Sequence, residues 1–196
     1  MYKRDNISLS TKRVIFLIFL VFLVLFSKYI PYGDIQTGDN STLKKIFSLY
    51  FFISNQTLGI VHEGGHGICY LLDCPKFFTA LNGTIFQTLF PLGVGYYYKQ
   101  QLNYIGWSIG LFFTGLSLHY TSWYISTAHE GLFIPASKSF LGQDGYHDFN
   151  YILNTIGLLN YDNGISIFVK LIAYGLMFFS VYKMFILAFI KQKGDL

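Results

Sequence analysis

Thirteen consecutive apolar residues, VIFLIFLVFLVLF at 14–26, directly follow Lys12 and Arg13. The run is longer than most signal-peptide apolar regions, and the SKYIPYGDIQ that follows offers no small-residue cleavage site. It reads as an uncleaved first membrane span over residues 14–30, with the basic flank holding the N-terminus in the cytoplasm. The whole chain agrees with a bilayer as solvent: 53% of its 196 residues are apolar, 20% are aromatic and only 12% are charged. The formal net charge of +4 does not point to nucleic acid, because the lysines and arginines sit mainly at segment ends, where they mark topology.

Further segments follow from apolar runs and their breakers. Ser41 or Thr42 can cap a helix over 43–72, which stops at Asp73-Cys74-Pro75 because proline cannot continue it. Residues 83–98 are apolar but interrupted by Gly83, Pro91, Gly93 and Gly95, and read as a broken span or a re-entrant element. A clearer span covers 104–125, with Trp107 and Trp123 near its ends. A polar connection over 126–146 leads to a short helix at 148–160, with Asp148 placed to cap it, and then a last span at 165–190.

Five full spans would leave Lys191 and Lys193 outside, against the charge rule, so a dip of 149–159 into the membrane favours six. The expectation is an all-α polytopic membrane helix bundle of about five to six membrane segments, one or two of them irregular or re-entrant. It forms a single integral domain over 1–196 in the cytoplasmic (inner) membrane. Cys69 and Cys74 are too few for a disulfide framework, and C-x4-C without a second pair does not make a thiolate zinc site, so both read as structural thiols.

The chemistry concentrates in GIVHEGGHGI at 59–68. Residues four apart on a helix lie one above the other, so His62 and His66 present two imidazoles to one point, with Glu63 beside them. That is the spacing of H-E-x-x-H, in which two neutral nitrogens bind zinc and the carboxylate acts as general base on a water. The flanks GIV and GICYLL are apolar, and three bare polar groups among them would carry several kcal/mol of uncompensated solvation cost. One zinc ion resolves that cost. The glycines at 59, 64, 65 and 67 leave a thin helix face for another segment or for an extended substrate.

A catalytic zinc takes three protein ligands, so a third is needed. His62 lies about 28 Å along a helix that enters from the outer side, which places the site near the inner boundary, level with the loop ending at His147-Asp148. Either of these can coordinate zinc while the other caps the helix or orients a ligand; His147 is the favoured ligand, with Asp148 close behind. His119 reads as a packing residue, and His129-Glu130 as a solvated loop pair. Gln87, an amide in the interrupted segment, is a candidate substrate-binding residue, with Asn82 and Asn150 carrying less weight.

With these residues in view, the chain resembles the site-2-protease-like, M50-like family of intramembrane zinc metalloproteases, and within it a group of small bacterial membrane proteins. The resemblance rests on His62-Glu63-Gly64-Gly65-His66 in a hydrophobic helix, the Q-x-x-F-P-L segment from Gln87, and an aspartate-bearing helix start at His147-Asp148-Phe149-Asn150-Tyr151. It implies zinc on His62 and His66, water activation by Glu63, a later aspartate, here Asp148, as third ligand, and a membrane-protein or peptide substrate. Two alternatives share the same residues: a zinc-dependent hydrolase of lipid amides or esters, and a non-catalytic metal-binding subunit of a membrane complex.

Overall fold

The computed structural model describes residues 7–26, 41–134 and 145–190. Lys3, Arg4, the expected end of the first span at 27–30, Asp144, Lys191 and Lys193 lie outside the described residues. The chain is mostly helical: α1 (Leu9–Phe26), α2 (Thr42–Leu71), α3 (Lys76–Gln100), α4 (Tyr104–Ser126), α5 (Asp148–Thr155) and α6 (Asp162–Phe185), the last continued by a wide π turn at Ile186–Ile190. Three helical stretches, Leu9–Phe26, Lys76–Gln100 and Leu159–Ile190, are long and apolar enough to cross a membrane. A two-stranded antiparallel ribbon, β1 (Phe133–Ile134) with β2 (Gly145–Tyr146), adds a little sheet where the sequence suggested only loop.

Local chemistry explains the boundaries. α1 starts five residues before the apolar run because the Ser8 hydroxyl accepts from the Thr11 N–H at 3.1 Å. Ser41 caps α2 in the same way, taking the Lys44 N–H at 3.3 Å. The α2 helix ends in a Schellman turn: Asp73 takes a left-handed φ of 53°, the Cys74 N–H reaches the Cys69 carbonyl at 2.9 Å, and the Asp73 N–H reaches Tyr70. α5 ends in the same turn with Gly157 at φ 72°, and is therefore shorter than the expected 148–160.

The expectation of a broken or re-entrant segment at 83–98 is corrected, because α3 runs unbroken from Lys76 to Gln100 with Pro91 inside it. Proline at 91 has no N–H to give the carbonyl four residues back, which is Gln87. The Ser117 hydroxyl donates to that carbonyl at 3.1 Å. An orphaned buried carbonyl would cost about 1–3 kcal/mol, and the serine hydroxyl offsets that part of the cost of a proline inside the helix.

The chain divides into two units. One comprises Met1–Ile30, Leu89–Leu116 and Ile172–Leu196. Its centre is aromatic and sulfur-rich, with Phe26, Phe112, Met177 and Met184 almost fully buried and Phe19 edge-on to Phe112 at 4.7 Å. Small residues let its helices approach: a Cβ on Gly110 would collide with Gly95, and the Ser180 hydroxyl reaches the Ser108 carbonyl at 2.6 Å. The other unit comprises Pro31–Thr88 and Ser117–Leu171 and carries every candidate site residue. Its core gathers Ala80, Tyr120, Tyr124, Ile125, Ala128, Phe149, Ile152 and Leu153.

Candidate metal centre

Helix α2 does what its spacing dictates. The ring centroids of His62 and His66 are 4.7 Å apart, and a ligand atom from each of His62, Glu63 and His66 lies within 4.8 Å of the others. His62 is buried, His66 half-buried and Glu63 exposed.

Each imidazole has its far nitrogen committed. His66 Nδ1 lies 2.7 Å from the Thr79 carbonyl, which can only accept, so Nδ1 carries the proton. His62 Nδ1 lies 3.1 Å from Gln87 Oε1, the amide oxygen accepting in the same sense. In the neutral rings both Nε2 atoms are therefore lone pairs. They face the same oxygen, Asp148 Oδ2, at 3.0 Å from His62 and 3.4 Å from His66.

Three acceptor atoms do not converge at such distances unless positive charge lies among them, as protons on the rings or as a cation. The spacing suits a cation. Ligands about 2.0–2.1 Å from a tetrahedral zinc are separated by an edge of about 3.3–3.4 Å.

Other residues serve these four. The Tyr124 hydroxyl donates to Asp148 Oδ2 at 3.3 Å and accepts the Asp148 backbone N–H at 3.1 Å, which orients the carboxylate. Gly83 on α3 sits directly over the imidazoles: a Cβ there would lie 2.7 Å from Nε2 of both His62 and His66. Asn82 donates to the Gly65 carbonyl at 2.7 Å, and Gly65 itself has no room for a Cβ against the Asn82 carbonyl. Of the four glycines near the histidines, Gly65 is thus a packing residue. Cβ atoms at Gly64 and Gly67 would meet nothing.

The two third-ligand candidates separate. Asp148 joins the imidazoles, while His147 does not and takes the capping role that sequence reasoning had given to Asp148. His147 Nδ1 accepts the Asn150 N–H at 3.4 Å as the N-cap of α5, and its Nε2 pairs with the Thr127 hydroxyl at 3.1 Å. Its ring lies flat on Tyr124, 4.5 Å between centroids and 9° between planes. Burial pushes the His147 pKa down to about 4, so the ring is neutral and can accept at the cap.

Gln87 is buried at 1% exposure with its oxygen on His62, a holder of that ring rather than an open substrate contact. Asn150 is structural, donating to the Ala128 carbonyl at 2.7 Å. His129 and Glu130 are both solvent-exposed, as expected of a loop pair, and His129 in addition engages Asp162 Oδ2 through its Nδ1 and its backbone N–H. His119 is buried on α4, outside the cluster.

Sequence reasoning missed Thr79, Gly83 and Tyr124 as parts of the site. Gly83 carried a usable signal, since a glycine inside a helical pattern costs about 1 kcal/mol and so marks a close approach. Thr79 and Tyr124 carried none. The chain matches no known protein-family model, no curated protein and no solved structure.

Proposed function

We propose that the chain is an intramembrane zinc metalloprotease that holds one zinc ion through His62, His66 and Asp148 and cleaves a peptide bond of a membrane protein. The observation that carries this reading is the approach of one carboxylate oxygen, Asp148 Oδ2, to the Nε2 atoms of His62 and His66 at 3.0 and 3.4 Å, a set of three acceptors when the rings are neutral. Zinc bound there supplies Lewis acidity, which polarises a substrate carbonyl and makes a water nucleophilic near neutral pH. Glu63 is the general base: it is exposed, stands beside the imidazoles, and has no role in holding them. Thr79 and Gln87 keep the proton of each ring on Nδ1, and Tyr124 holds the carboxylate toward the Nε2 atoms.

The same reading takes the five long helices as membrane segments and the short α5 as a sixth element at the inner boundary, with the N-terminus cytoplasmic. The open helix face at Gly64 and Gly67, next to Glu63, is where an extended peptide can lie against α2.

The test compares wild type with Glu63→Gln, each expressed in its native type of membrane. Zinc content of the purified proteins, new peptide termini within membrane segments, and lipid extracts are measured in parallel. The expectation is one zinc per chain in both proteins, with new termini only in wild type and a rate loss of about 10²-fold or more in the variant. A specific lipid change without new termini would move the substrate class to lipid amides or esters. Zinc-loaded Glu63→Gln with full activity would remove the mechanism, and metal-free wild type would remove the site.

A further inference from the structure

The two cysteines of the chain are brought together by the turn that ends α2. In a Schellman turn the residue two beyond the cap donates its N–H to the carbonyl three residues inside the helix end, and the side chains of those two positions are frequently in contact. Here those positions are Cys74 and Cys69. Their backbone bond is 2.9 Å, with Asp73 between cap and Cys74 in the left-handed conformation the turn requires. Cys69 is 5% exposed and Cys74 half-buried, and both are free thiols. The Cys69 thiol is close enough to act on its neighbour: it is the largest influence holding the Cys74 thiol above its ordinary value.

We propose that Cys69 and Cys74 form a redox-active dithiol at the end of α2, one that a peroxide oxidises to an intramolecular disulfide. The turn favours the pairing, because the 6→1 hydrogen bond draws the two backbone positions together. Cys74, the more accessible sulfur, attacks the peroxide oxygen to give a sulfenic acid and one water. The Cys69 thiol then displaces hydroxide from that sulfur, which leaves with the thiol proton as a second water. Two electrons pass from the sulfurs to the peroxide, and both thiol protons end in water.

The raised Cys74 pKa lowers the thiolate fraction available for the first step at neutral pH. The corner so closed also carries Thr79, whose hydroxyl reaches the Cys74 carbonyl at 3.4 Å and whose own carbonyl holds His66.

The test uses the full-length protein in detergent, treated with hydrogen peroxide and then analysed by intact mass, thiol counting and non-reducing electrophoresis. The expected product is a monomer lighter by two hydrogens, without free thiols, that dithiothreitol restores. In Cys69→Ser, Cys74 should instead accumulate sulfenic and sulfinic acid; in Cys74→Ser, Cys69 should stay reduced. Wild type that gains oxygen on Cys74 while Cys69 remains a thiol, or that forms only disulfide-linked dimers, overturns the proposal. Should Cys69→Ser not fold, peptide mapping of oxidised wild type for the Cys69–Cys74 cross-link decides between the same two results.

Discussion

Gly83→Ala tests the proposed metal centre at the point where α3 meets the imidazoles. The added methyl carbon would lie 2.7 Å from Nε2 of His62 and of His66 and from His66 Cε1. Non-bonded heavy atoms sit best at about 3.5 Å or more, so the shortfall is roughly 0.8 Å, which the imidazoles or α3 must absorb. Metal ligands tolerate displacements of about 0.2 Å, and losing the geometry of even one should lower zinc affinity about 100-fold or more, or about 2.7 kcal/mol. Helix propensity works in the other direction: alanine in place of glycine within a helix contributes about 1 kcal/mol.

The two effects separate in a thermal melt with and without zinc, alongside a chelator competition. Zinc should raise the melting temperature of wild type and leave that of Gly83→Ala nearly unmoved. Gly93→Ala on the same helix, where a Cβ meets nothing, should keep the full zinc response. Equal zinc affinity in Gly83→Ala and wild type would refute the placement of a metal between these two nitrogens.

Gln87→Leu removes the acceptor on His62 Nδ1 and should weaken zinc binding about 10- to 100-fold in a chelator titration, whereas Gln87→Glu should retain it. Tyr124→Phe takes a donor from Asp148 and an acceptor from its backbone N–H. It should cost about 1–3 kcal/mol in denaturant unfolding and weaken metal binding as well. Ser117→Ala leaves the Gln87 carbonyl without the donor that replaces the missing proline N–H, and should lower the melting temperature without changing zinc affinity per folded molecule. Asp73→Gly relieves a left-handed φ and should raise stability by up to about 1 kcal/mol, read as a shift of the denaturant midpoint at constant slope.

His62, Glu63 and His66 are legible from sequence because a helix converts spacing four into a shared face, whatever else the chain does. The cap of α2 and its stop before Pro75 are legible for the same reason: each depends on residues within one turn. Pro91 was misleading on those terms. The carbonyl it leaves without a donor, that of Gln87, is served by Ser117 thirty residues further on, and no local pattern contains that information.

The choice between His147 and Asp148 is of the same kind. Adjacent residues at a helix start can exchange roles with little local consequence. The ring of His147 is held by Tyr124 and Thr127, and the carboxylate of Asp148 meets imidazoles 82 and 86 positions away in the chain. Sequence alone determined which helix carries the chemistry and which of its residues face one point. Tertiary structure decided what stands opposite them, because acceptors from α2 and α5 converge only after those helices have packed against α3 and α4.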